Sequence, residues 1–107
     1  MPLINLEFDN VVVTEDEAKQ LSQAVRDIVS ESTEIADVFV YANTADIKIQ
    51  IAPVEIFIRM SAYITEKKPE LLQNIKTKLK EWKVETGFKH PINLTVIPMT
   101  WSMEIGI

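Results

Sequence analysis

Residues 52–62 read Ala52-Pro53-Val54-Glu55-Ile56-Phe57-Ile58-Arg59-Met60-Ser61-Ala62. Val54, Ile56, Ile58 and Met60 alternate with Glu55, Phe57, Arg59 and Ser61, the two-residue period of a strand with one buried face. The same pattern stands earlier in the chain. Over residues 2–8, Ile4, Leu6 and Phe8 alternate with Asn5 and Glu7. Two strands of one type, about fifty residues apart, suggest a unit written twice.

The segment after each strand supports the repeat. After the first comes Thr14-Glu15-Asp16-Glu17, a capping box in which Thr14 and Glu17 each satisfy a free N–H of the helix start. Ala18, Leu21, Val25 and Ile28 then recur at helical spacing, widened by Ala24 and Val29, so a helix is expected over 15–31. A second strand is expected over 35–42, a turn at Asn43-Thr44-Ala45-Asp46 and a short strand at 47–51, where Ile47, Ile49 and Ile51 alternate with Lys48 and Gln50. After the second copy of the first strand, a helix is expected over 66–84 with Leu72, Ile75, Leu79 and Trp82 on one stripe. Pro69 would then fall in its first turn. Gly87 lies in the loop after that helix, 92–99 reads as a strand, and Trp101, Met103, Ile105 and Ile107 alternate in a tail strand.

The expected fold is therefore α+β: two fused βαβ units, about 2–51 and 53–107, in a single domain spanning 1–107. They share a four-stranded mixed sheet with two helices on one face, plus short edge strands. A chain of 107 residues and 12.2 kDa buries about two-thirds of its surface on folding, with no spare layer. The second sheet face, carrying Phe57 between Glu55 and Arg59, and the short strands 47–51 and 101–105 would stay open in one chain. Exposed faces and edges of this kind predict a closed homo-oligomer.

Composition narrows the chemistry. Without Cys there is no disulfide framework, thiolate nucleophile or Cys-ligated metal. The one histidine, His90, cannot build a multi-histidine site within one chain, and its place before Pro91 reads as a solvated loop. Two glycines exclude a P-loop and a GxGxxG turn. The net charge of −5 argues against nucleic acid as partner. Residues 1–62 hold 11 acids and 4 bases, whereas 63–107 hold 7 Lys and 5 Glu in the mixed pattern of an exposed helix. No apolar run approaches the length of a membrane span and the N-terminus lacks a signal-like core, so a cytoplasmic protein without membrane contact is expected.

Met1-Pro2 leading directly into a strand, with βαβ twice in just over 100 residues, resembles the tautomerase superfamily, which includes macrophage migration inhibitory factor and 4-oxalocrotonate tautomerase. The resemblance is nearest to small bacterial members that place a Pro before a Val-Glu-Val-like third strand and end the last strand in an Ile-Pro step. Here these are Ala52-Pro53-Val54-Glu55-Ile56-Phe57 and Thr95-Val96-Ile97-Pro98-Met99. The two-unit length implies a trimer. The resemblance further implies a cofactor-free keto–enol isomerase, with no metal, acting on a small carbonyl acid. Pro2, exposed by removal of Met1, is its general base. A terminal proline is a secondary amine held by its ring, and desolvation would lower its pKa toward the range useful at neutral pH. With Met1 retained, the Pro2 nitrogen is a tertiary amide and cannot act.

The cations of the resemblance are not matched. Val12 and Phe39 stand where members acting on diacids carry arginine, Thr33-Glu34-Ile35 offers no lysine, and Asn93 and Thr95 differ in type from the last-strand contacts. From this chain's own residues, Arg59 is the candidate for holding a carboxylate, with an ion pair to Glu55, Glu7 or Glu104 as its structural alternative. Tyr41 and Tyr63 are candidates for hydrogen bonding an enol oxygen. Arg26 reads as a surface partner of its acidic neighbours, and Trp101 with Met99 and Met103 as an intersubunit strand. Two other readings stand beside the enzyme: a non-catalytic oligomeric module on the same fold, and a ferredoxin-like regulatory domain binding a small ligand.

Overall fold

The structure, a computed structural model, describes residues 1–107. Seven elements succeed one another in chain order: β1 (Leu3–Phe8), α1 (Glu15–Thr33), β2 (Phe39–Asn43), β3 (Val54–Ser61), α2 (Ala62–Lys67), α3 (Leu71–Thr86) and β4 (Asn93–Met99). The strands form one mixed sheet in the order β2-β1-β3-β4. β1 runs parallel to β2, β3 parallel to β4, and the two pairs meet antiparallel at β1–β3, with Leu3 opposite Arg59 and Phe8 opposite Val54. Each parallel pair is bridged by a helix, as parallel strands require. The expected repeat is present, joined at the centre of the sheet. Its order is the one anticipated for fused βαβ units and not a ferredoxin-like one. Pro98 lies within β4, which is tolerable because β4 is an edge strand that need not donate every N–H.

The alternation in β1 and β3 decides which face is core. Ile4, Leu6, Val54, Ile56, Ile58 and Met60 are all fully buried against α1 and α3. Each such aliphatic side chain contributes about 1.5–3 kcal/mol by leaving water. α1 supplies Ala18, Leu21, Val25 and Val29 to the same core, and α3 supplies Leu71, Ile75 and Leu79.

The α1 start is the expected capping box: the Thr14 hydroxyl accepts from Glu17 N at 3.1 Å, and the Glu17 carboxylate accepts from Thr14 N at 3.0 Å. The helix runs two residues further than expected and ends at Glu34 in the left-handed region, φ 60°. A side chain with a Cβ is strained there, and the Lys68–Glu34 ion pair at 3.7 Å is too exposed to offset much. Glu34→Gly is expected to stabilise the protein by about 1 kcal/mol. A rise in thermal midpoint at fixed protein concentration checks this.

Three expectations are corrected. The helix expected over 66–84 is two helices, with Pro69 between them rather than in a first turn. Proline has no N–H to give and disfavours helical backbone in Lys68 before it. Since α3 begins at Leu71, its buried stripe is Leu71, Ile75 and Leu79, and Leu72 is exposed. The short strands expected at 47–51 and 101–107 are not formed in the single chain. The first is a series of bends and the second irregular, because neither has a strand beside it to pair with. No helix is long and apolar enough to cross a membrane.

Candidate functional site

The sheet face away from the helices is open, and its registers place side chains in rows. Phe39, Leu3, Arg59 and Ile97 form one row. Tyr41, Asn5, Phe57 and Thr95 form the next, and Asn43, Glu7, Glu55 and Asn93 the third. The face thus grades from apolar with one cation, through aromatic, to acidic. Glu7 stands directly opposite Glu55, a like-charge cross-strand pair that disfavours the sheet locally. The Asn93 amide donates to Glu55 at 2.9 Å and compensates in part.

Arg59 does not meet any of the acids named as its alternatives. Its Nη1 donates to the side-chain oxygen of Asn5, diagonal to it across the β1–β3 seam. Asn5 in turn stands opposite Tyr41 of β2, so Tyr41, Asn5 and Arg59 are contiguous on the open face. Asn5 is not among the sequence candidates. A polar residue inside an alternating strand is a weak signal by itself, and what reveals it is the register against β3.

Pro2 lies at the end of β1 next to Leu3 and is fully buried. Its carbonyl accepts from Phe39 N at 3.3 Å, which ties the chain start to β2. By alternation Pro2 falls on the helix side with Ile4, whereas Arg59 points from the opposite face. The two candidates share one end of the sheet but not one face. Met1 precedes Pro2, so its nitrogen here is an amide. Tyr63 is on α2, exposed, with Lys67 Nζ 4.5 Å above its ring, separate from the Tyr41–Asn5–Arg59 group. Arg26 pairs with Asp27 at 3.2 Å, as expected of a surface arginine, and also donates to Ala36 O at 3.0 Å.

Two carboxylates are held below their ordinary range. At Glu17 the main cause is the hydrogen bond from Thr14 N, against the cost of burial, with His90 adding to the lowering. At Asp9 it is the hydrogen bond from Val11 N, again against burial, with Lys48 adding its hydrogen bond and charge. His90 is thus not a solvated loop residue. Its Nε2 lies 2.9 Å from Glu17, its ring meets Phe88 edge-on at 5.2 Å, and its carbonyl accepts from Lys83 Nζ at 2.7 Å. These contacts tie the loop before β4 to the start of α1, a structural role.

A groove of about 960 Å³ runs between α1 and the free edge of β2, and one of about 350 Å³ between α3 and the free edge of β4. Both sheet edges therefore have an apolar trough beside a helix, and both are open in the single chain.

No family model and no curated protein matches the sequence. Solved structures do match the fold. FG41 malonate semialdehyde decarboxylase inhibited by 3-bromopropiolate is 17% identical with a TM-score of 0.64, covering 100% of this chain and 91% of its own. A macrophage migration inhibitory factor-like protein from Entamoeba histolytica is 24% identical with a TM-score of 0.55, covering 96% and 93%. A probable enzyme from the thermophilic fungus Aspergillus fumigatus is 15% identical with a TM-score of 0.58, covering 99% and 79%. With its β2-β1-β3-β4 sheet and helices on one face, the chain has the tautomerase and macrophage migration inhibitory factor-like fold.

Proposed function

We propose that the protein is a homotrimeric, cytoplasmic, cofactor-free isomerase that moves a proton between the keto and enol forms of a small carbonyl acid. Pro2 is its general base once Met1 is removed. The observation carrying this reading is a proline at the head of β1, fully buried, in a tautomerase-like fold. Burial disfavours the charged amine and makes it a base near neutral pH. The amine takes the proton α to the carbonyl and returns it at the enol oxygen or the second carbon, so no net proton is consumed. Arg59, aligned by Asn5, holds the substrate carboxylate, and Tyr41 or Tyr63 hydrogen-bonds the oxygen that gains charge. A fold neighbour described as a decarboxylase of malonate semialdehyde, inhibited by 3-bromopropiolate, supports small acids as the substrate class.

Arg59 and Pro2 leave one subunit by opposite faces, so a complete site needs a second subunit to bring a cation to the proline. The same separation favours a second reading, a non-catalytic oligomeric module. Intact mass comes first: loss of the initiator Met is expected, and its retention removes the base. Phenylpyruvate tautomerisation followed by ultraviolet absorbance, beside Pro2→Ala, then decides. A fall of at least about a hundredfold for the variant is the expected outcome for loss of a general base. Equal rates for both proteins establish the non-catalytic module instead.

A further inference from the structure

The bends at 47–51 leave an unusual surface. Ile47 is 85% exposed and Ile49 98%, while Lys48 between them turns inward. Its Nζ meets Asp9 at 3.2 Å and also bonds the Asn10 side chain, with only about a fifth of either charged side chain exposed (21% for Lys48, 19% for Asp9). A lone exposed isoleucine needs no explanation, but two flanking an anchored lysine form a presented pair. The ion pair fixes which way the segment faces, because consecutive side chains in a bent but open segment cannot all turn inward.

We propose that Ile47 and Ile49, held outward by the Asp9–Lys48 ion pair, dock into the groove between α3 and β4 of a second copy of this chain. The groove is floored by Leu72, Leu79, Ile92 and Leu94, with Lys76 and Lys80 on its rim. Three observations select a second copy as occupant. The accessible surface is 6,999 Å², roughly 900 Å² above the size expected for a 12.2 kDa monomer. That excess is close to the share of about 800 Å² that each partner contributes to a standard interface. Donor and acceptor lie at opposite edges of one sheet, after β2 and along β4, so copies join head to tail, the heterologous contact from which closed rings are built. The exposed Asp46 beside the isoleucines complements Lys76 and Lys80, which make no ion pair of their own.

The inference rests on self-association as proposed above and is independent of Pro2. Light scattering on the full chain reads it, with Ile49→Asp as the variant. That side chain supports nothing within its own chain, so far-ultraviolet circular dichroism stays unchanged while the dissociation constant rises at least about tenfold, as for loss of an interface anchor. Lys48→Ala is expected to shift assembly in the same direction, and charge restored by Lys48→Arg to recover it. The absence of native cysteine permits a direct check of the contact. Ile49→Cys and Lys80→Cys copies, refolded together and oxidised, are expected to form a mixed disulfide dimer. An Ile49→Asp protein that keeps the native mass, or Ile49→Cys that links only to itself, overturns the inference and leaves self-association standing. A native protein that runs at 12.2 kDa overturns both, whatever the state of Met1.

Discussion

Ile58→Ala is expected to lower the free energy of unfolding by about 2–5 kcal/mol, the range for a large aliphatic removed from a packed core. Ile58 is fully buried, pairs with Ile4 across the β1–β3 seam and lies beside Val96 of β4. It therefore joins the two repeats at the one place where they share a ladder. A cavity there cannot be closed by a moving loop, because both flanking strands are fixed by backbone hydrogen bonds. Urea unfolding at fixed protein concentration checks it, since association adds to apparent stability by mass action. A loss under about 1 kcal/mol would contradict the central role given to this position. Ile49→Ala is the control: at an exposed site, unfolding of the single chain should change within about 0.5 kcal/mol.

Phe88→Ala is the second large effect, expected near 3 kcal/mol or more. Phe88 lies in the loop after α3, yet is only 8% exposed. Gly87 makes this possible: at φ 72° it adopts the left-handed cap that other residues resist, and its N–H closes on Lys83 O at 2.9 Å. The turn drops Phe88 against Trp82, ring centres 5.3 Å apart and tilted 44°, and against the edge of His90. Such aromatic pairs add about 0.5–1.5 kcal/mol beyond the area they bury. Removing the ring also frees His90 from its place beside Glu17, so the contact between the second repeat and the start of α1 loosens. Two readouts apply: the urea midpoint, and the near-ultraviolet circular dichroism of Trp82. Phe88→Leu, which keeps most of the volume, should lose less than half as much.

Ile58 and Phe88 also show what a single sequence reveals. Ile58 is legible because its neighbours repeat: Val54, Ile56 and Met60 give the strand and its buried side, and the echo in Ile4 and Leu6 gives the second strand. From two such strands and two amphipathic stretches, the sheet and its helix layer emerge by elimination. Phe88 and His90 have no period. Their burial depends on a glycine turn and on a partner more than seventy residues away, and neither leaves a local mark. Pro69 is visible but ambiguous, since its rule permits both a first helical turn and a break, and the structure takes the break. At the site, Arg59 is legible as a lone cation on an open face, and Asn5 is not. A hydrogen-bond partner across a seam is known only when register is known, and register depends on which residues oppose one another in space. The 47–51 alternation marks exposed material but not a formed strand, because a strand is a property of two segments and one chain supplies only one.

The antiparallel seam between β1 and β3 has a consequence for how the molecule is made. Leu3 finds its partner only at Arg59, so the earliest strand waits for more than half the chain. At about 5–20 residues per second, that wait on the ribosome is roughly 3–10 s. Through that time β1 has β2 on one side and nothing on the other. Nascent chains on one message would carry this raw edge near one another, where it could join a neighbour's β1 instead of its own β3. The protein's yield in the cell then depends on elongation speed between residues 43 and 61, a span that contributes no helix and holds the whole of β3. Slow codons there would prolong the vulnerable interval, and fast ones shorten it.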